Sequence, residues 1–127
     1  MASPDSISNK VFRELVANSL FTEKQISIIS KRLQGAPRPE NMTSGAYYRQ
    51  VGQCRDKVYA LLYSMILLQS TGVIQPEGLV TLSRLGEQIG VIFASQARDV
   101  ARDVVTLERI TDITSVLNQL VKRLSNL

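Results

Sequence analysis

Residues 44–70 read SGAYYRQVGQCRDKVYALLYSMILLQS. Within them Tyr47, Val51, Cys54, Val58, Leu61, Met65 and Leu68 recur at alternating steps of four and three, which stacks them on one face of an α-helix. Thr43 or Ser44 supplies a start and Gly72 a stop. At 1.5 Å per residue the element is a rod of about 40 Å. Its two halves differ. The first leaves Arg49, Gln50, Gln53, Asp56 and Lys57 for solvent or a partner, whereas Val58–Leu68 is apolar nearly all round, interrupted only by Ser64. The pattern predicts a second half buried in the protein, with Tyr59 and Tyr63 in the core and their hydroxyls at the surface. Eleven apolar-rich residues fall short of the roughly 20 a bilayer span needs, so no membrane partner is expected.

The flanking sequence is helical too. Residues 8–20 place Val11 and Leu15 with Phe12 and Val16 at helical spacing, with Ser6 or Ser8 as N-cap. Thr22 and Gln25 are spaced as a capping box, with Phe21 and Ile26 as its hydrophobic staple. Ile26, Ile29 and Leu33 form the expected buried stripe of that helix; Gly35 ends it, and Pro37 and Pro39 bar its continuation. Beyond Gly72, a turn at Gln75–Gly78 leads into Leu79, Leu82, Leu85, Ile89 and Ile92, again at helical spacing. A hairpin pairing 73–74 with 79–81 is the less favoured alternative. Gly86 and Gly90 fall inside this helix, where small residues permit close packing. The end of the chain holds a tandem repeat, Ala97-Arg98-Asp99-Val100 and Ala101-Arg102-Asp103-Val104, then Ile110, Ile113, Leu117, Leu120, Leu124 and Leu127 in a heptad rhythm. That seam serves either its own domain or a homodimer. The expectation is an all-α fold: one multi-helix domain over 1–127, with a helix-turn-helix-like segment, a long central helix and a candidate dimerisation helix at 97–127.

Composition removes several function classes. The 127 residues include no histidine, no tryptophan and one cysteine, Cys54. A disulfide framework within the chain and a His- or Cys-based zinc site are therefore ruled out, as is every nucleophile activated by histidine. The carboxylates are scattered: no pair at one-turn spacing sits on an apolar, pocket-like face except Asp99 and Asp103, each beside an arginine, and no glycine-rich phosphate loop is present. A non-enzyme with no cofactor and no metal is expected. Met1–Ile7 lacks the features of a secretory signal, and with a single thiol a cytoplasmic setting is expected. Cys54 is expected as a small core residue.

What remains is charge. Fifteen basic and eleven acidic residues give +4. Residues 31–57 hold Lys31, Arg32, Arg38, Arg49, Arg55 and Lys57 against Glu40 and Asp56, so this window carries the entire excess and the remainder is neutral. Such a localised charge is a candidate footprint for a polyanion.

The same window carries a motif. Phe21–Gly35, FTEKQISIISKRLQG, resembles the opening helix of helix-turn-helix domains such as sigma-factor DNA-binding segments and response-regulator effector domains. Ser44–Gln53, SGAYYRQVGQ, resembles their recognition helix. The resemblance spans residues 21–57 and departs from the family at one point. Eight residues, Ala36–Thr43, separate the two segments, so the middle helix shrinks to about one turn around Pro39–Met42. Further on, residues 72–83 resemble a nearly vestigial wing of winged-helix repressors. The resemblance implies a DNA-binding transcriptional regulator. The Ser44 hydroxyl and first-turn amides would meet phosphate. Arg49 would read guanine, Gln50 and Gln53 adenine, and Tyr47 or Tyr48 phosphate or thymine methyl groups. Lys31, Arg32, Arg38, Arg55 and Lys57 would lead the electrostatic binding. Two other readings stand beside it: an interaction module docking an acidic protein, and a single-stranded RNA binder with Tyr47, Tyr48 and Arg49 as a stacking platform.

Overall fold

The computed structural model describes the backbone of residues 7–95 and 103–127 and the side chains of residues 9–94 and 114–127. Five helices follow one another: α1 (Ile7–Ala17), α2 (Glu23–Leu33), α3 (Ser44–Ser70), α4 (Pro76–Ser95) and α5 (Asp103–Leu124). Among the described residues there is no strand, only an isolated antiparallel bridge between Ile74 and Ser125. The all-α class read from periodicity is the class the chain adopts. No helix among the described residues is long and apolar enough to cross a membrane.

The chain is built as two compact units, Leu15–Ile66 and Met1–Glu14 with Leu67–Leu127. Both boundaries fall inside helices, α1 and α3, so no shift in composition marks them and the chain reads as one domain.

In the unit 15–66, α2 starts and stops as its sequence requires. Thr22 is extended (φ −89°, ψ 161°); its hydroxyl accepts from the Gln25 amide while the Gln25 side chain accepts from the Thr22 amide, each at 3.1 Å. This is the expected capping box. At the other end the Gly35 amide donates to Arg32 O and the Ala36 amide to Lys31 O, both at 3.0 Å, with Gly35 at φ +80°. These are the paired bonds of a Schellman stop, which favour glycine because a side chain at positive φ is strained. The buried line differs from the expected one. Gln25 and Ile28 face inward, Ile26 and Ile29 are half-buried, and Leu33 is 88% exposed. The capping box turns Gln25 toward α3, and that orientation brings Ile28, three residues on, to the same face.

On α3 the expected inner face holds for its first half: Tyr47 and Cys54 are buried. Its second half is a correction. Val58 and Leu61 are more than a third exposed, and Tyr59, Leu62, Tyr63 and Ile66 are 54%, 52%, 77% and 67% exposed. Tyr59 and Tyr63 are not core residues. Apolar character all round a helix predicts burial all round, but α3 has one face turned inward and another bare.

The unit of 1–14 and 67–127 has its core where α1, α4 and α5 meet. Val11, Ile89 and Leu117 are buried together, with Leu85 and Phe93 packed on them. Phe12 meets Phe93 edge-on, ring centroids 6.0 Å apart. Gly72, at φ +81°, ends α3 as expected. The turn after it is tied to the chain's end: Asn126 donates through Nδ2 to Gly72 O at 2.7 Å and through its amide to Val73 O at 3.0 Å. Gly78 is buried, and a Cβ there would lie 3.3 Å from Leu124 Cδ2. Leu79–Thr81 belong to α4, so neither the alternative hairpin nor a wing forms at 73–81; Ile74 pairs with Ser125 instead. Gly86 and Gly90 meet nothing within 4 Å and mediate no close packing among the described residues. The described part of the C-terminal seam serves its own unit: Leu117 lies in the core, and Leu120 and Leu124 are half-buried. Residues 97–102 of the tandem repeat, the side chains of Ile110 and Ile113, and Ser6 lie outside the described residues; Ser8 falls inside α1, which starts at Ile7, so it is not the cap.

Leu117→Ala is expected to lower the unfolding free energy by about 2–5 kcal/mol, and Leu33→Ala by no more than about 0.5 kcal/mol. Chemical denaturation of both variants checks this; the reverse ranking would contradict the assigned core.

Candidate nucleic-acid interface

The charge window and the unit 15–66 coincide. The unit contains seven basic and three acidic residues, a net of +4, so it carries the whole formal charge and the other unit is neutral. Its cations are not equivalent, because some hold the unit together.

Lys57 is structural. Its ammonium donates to Gln25 Oε1 at 2.7 Å and to Leu20 O at 2.8 Å, and it lies 5.7 Å from the centre of the Phe21 ring. Arg38 is occupied within the connector, where Nη1 donates to Met42 O at 2.8 Å. That connector, residues 34–43, has no helix; its middle element is a single turn closed by the Met42 amide on Pro39 O. The unit is thus helix, connector, helix, with α2 and α3 joined through side chains.

Arg32 bridges the two helices and remains at the surface. Its guanidinium lies 5.9 Å and 5.8 Å from the Tyr47 and Tyr48 ring centres, and Nη1 donates to Tyr47 Oη at 3.5 Å. The hydrogen bond it donates to Tyr47 raises the Arg32 pKa above its ordinary value. The two tyrosines pack edge-on at 5.3 Å. Tyr47 is 4% exposed and forms part of the core, while Tyr48 is 58% exposed. Lys31, Arg49 and Arg55 are exposed, and their side chains make no hydrogen bond or ion pair among the described residues. Arg55 lies over Gly52, its Nη2 3.7 Å from where a Cβ would stand, an ordinary van der Waals distance.

The remaining expected site residues separate. Gln53 is exposed on the line of Arg49, one turn on. Gln50 is half-buried and its Oε1 is enclosed, with no hydrogen-bond partner among the described residues, so it does not reach outward to a base edge. Ser44 is the exposed first residue of α3, but the cap is Thr43: its hydroxyl accepts from the Ala46 amide at 3.2 Å and its carbonyl from the Tyr47 amide at 3.0 Å. The structure therefore brings Lys31, Arg32, Tyr48, Arg49, Gln53 and Arg55 to the surface of one unit, and draws Arg38, Tyr47, Gln50 and Lys57 into its framework.

The cleft beside α2, walled by Ile28, Pro37, Pro39 and Tyr47, has about 40 Å³, room for little more than water. This cleft, which Lys31 and Arg32 also line, does not admit a ligand larger than water. Among the described residues no group of three His, Cys, Asp or Glu could hold a metal. Sequence reasoning missed Gln25 as a buried polar hub; the capping-box spacing was its only signal. Cys54 packs beneath it, 1% exposed, its Sγ donating to Gln25 O at 3.9 Å. Burial pushes the Cys54 thiol pKa up, and the Lys57 charge offsets part of that.

No family model matches the chain, and comparison with curated proteins and with solved structures yields no significant match.

Lys57→Ala leaves Leu20 O and Gln25 Oε1 short of a donor and is expected to cost about 1–3 kcal/mol of stability; Arg49→Ala is expected to stay within about 0.5 kcal/mol. Equal losses in denaturant titrations would contradict the division into structural and free cations. The raised thiol pKa also sets a pH dependence. Its contribution to stability is complete below about pH 8.5, where an unfolded thiol ionises, and declines as pH rises because the unfolded chain gives up the proton first. Cys54→Ala removes that part of the decline, which melting curves at pH 7 and at about pH 9.5 measure.

Proposed function

We propose that the unit 15–66 binds duplex DNA through its phosphates, and that the protein is a non-enzymatic, cytoplasmic DNA-binding regulator. The observation that carries this reading is the confinement of the entire +4 to one unit, at whose surface Lys31, Arg32, Arg49 and Arg55 stand exposed. Cations of this kind bind by releasing counterions from the phosphate backbone, a contact that fixes position but carries no sequence information.

Base reading is the smaller part of the proposal. Of the residues that a recognition helix would use, Arg49 and Gln53 are exposed, whereas Tyr47 and the Gln50 carbonyl are enclosed. Two outward side chains favour a backbone-directed binder with modest preference over a reader of a long site. A stacking platform for single strands is supported less well, since Tyr47 is in the core and Tyr48 alone presents a ring.

Four phosphate contacts imply a slope of log affinity against log salt near −3.6, or binding on the order of 100-fold weaker at 200 mM than at 50 mM. Arg49→Glu with Arg55→Glu is expected to remove most of the affinity, and Arg38→Ala to leave the slope unchanged. Fluorescence anisotropy with a labelled random duplex checks both. No binding at low salt, or a charge-reversed variant that still binds, ends the reading; selective loss of an acidic protein partner would favour the interaction module.

A further inference from the structure

The geometry points to the outer face of α3 between Tyr59 and Ile66 as the surface on which two copies of this chain pair. This goes beyond the nucleic-acid reading and rests on different residues.

Tyr59, Leu62, Tyr63 and Ile66 follow each other at steps of three, one and three, so they form one stripe on the helix. All four are more than half exposed, and together they line one open apolar depression. With two aromatic rings among them, the bare surface is on the order of 500 Å², near the top of the roughly 300–600 Å² that a monomer's largest apolar patch spans. The stripe also lies on a longer register: Gly45, Tyr48, Gly52, Arg55, Tyr59, Leu62 and Ile66 alternate steps of three and four along the same face. That is the seam spacing of paired helices. It is a second seam, about a third of a turn round the helix from the one that carries Tyr47 and Cys54 into the core. Paired with a second copy, the four-residue stripe would bury about 1,000 Å² in total, the lower bound for a specific interface.

Charge selects the occupant. From Val58 to Ser70 the sequence has no acidic or basic residue, so an acidic partner drawn to the cations would find nothing to pair with on this stripe. A second copy brings an equally neutral, equally apolar stripe of the same spacing. An interface of one surface with itself closes about a two-fold axis and leaves no open end. The described seam of α5 is committed to its own core through Leu117, so α3 replaces the C-terminal helix as the dimerisation element.

Sedimentation equilibrium of the full chain without DNA tests this. The expected mass is twice the chain's 14.1 kDa across micromolar concentrations. Tyr63→Glu with Ile66→Glu is expected to give 14.1 kDa with unchanged far-ultraviolet circular dichroism. Should that variant lose helicity, Tyr63→Ser with Ile66→Ser gives the same decision, with dissociation at least tenfold easier than in the wild type. A wild-type monomer at every concentration overturns the proposal, and so does a folded variant that remains dimeric. Protection of the stripe in a monomer would assign it to another part of the same chain. Lys31→Glu with Arg49→Glu, both outside the stripe, should remain dimeric, which separates failure of this interface from failure of nucleic-acid binding.

Discussion

The side chain of Gln25 is buried at the start of α2, and its Oε1 accepts from two donors: the Thr22 amide at 3.1 Å and the Lys57 ammonium at 2.7 Å. Its backbone carbonyl accepts from Cys54 Sγ. One residue therefore caps α2, ties α3 to it and accepts from the Lys57 ammonium between them. Buried polar groups left without partners are costly, so such a hub specifies one arrangement and penalises others. The surface cations depend on it. Lys31 and Arg32 sit in the last turn of α2, and Arg32 reaches Tyr47 and Tyr48 of α3, the helix that Gln25 and Lys57 tie to α2.

This division of labour explains why a count of basic residues overstates the interface. Lys57 and Arg38 look like their neighbours in sequence, yet Lys57 donates to Leu20 O and Gln25 Oε1, and Arg38 donates through Nη1 to Met42 O, all within their own unit. Arg32 does both: it stacks against tyrosines and keeps its guanidinium in solvent. A cation whose partners are already made contributes field but little new contact. The charge of the unit and the number of phosphates it can neutralise are different quantities.

Local chemistry made much of the fold legible in sequence. The capping box at Thr22, the glycine stops at Gly35 and Gly72, the bounds of α3 and the burial of Cys54 each depend on residues within a turn or two of one another. What was illegible depends on what lies across from a residue. Apolar periodicity identifies α3 as a helix but not how many of its faces are covered, and Val58–Leu68 is apolar on more faces than the unit covers. Gln25 facing inward in place of Leu33, and Lys57 turning toward Leu20 O, are choices made by a partner helix 30 or so residues away. At the candidate site, exposure separated Arg49 and Gln53 from Tyr47 and Gln50 on the same helical turns, which the sequence pattern alone does not resolve.

The account ties a neutral, apolar seam and a cationic surface to opposite ends of one helix. The central claim is that the cationic end meets phosphate. Titrating the isotopically labelled full chain with a short duplex and following backbone amide resonances tests it most directly. The account predicts saturable shifts gathered at residues 31–32 and 48–56, weakening as salt rises, with Leu117 and its core neighbours unmoved. Shifts spread over α4 and α5, or none at low salt, would contradict it.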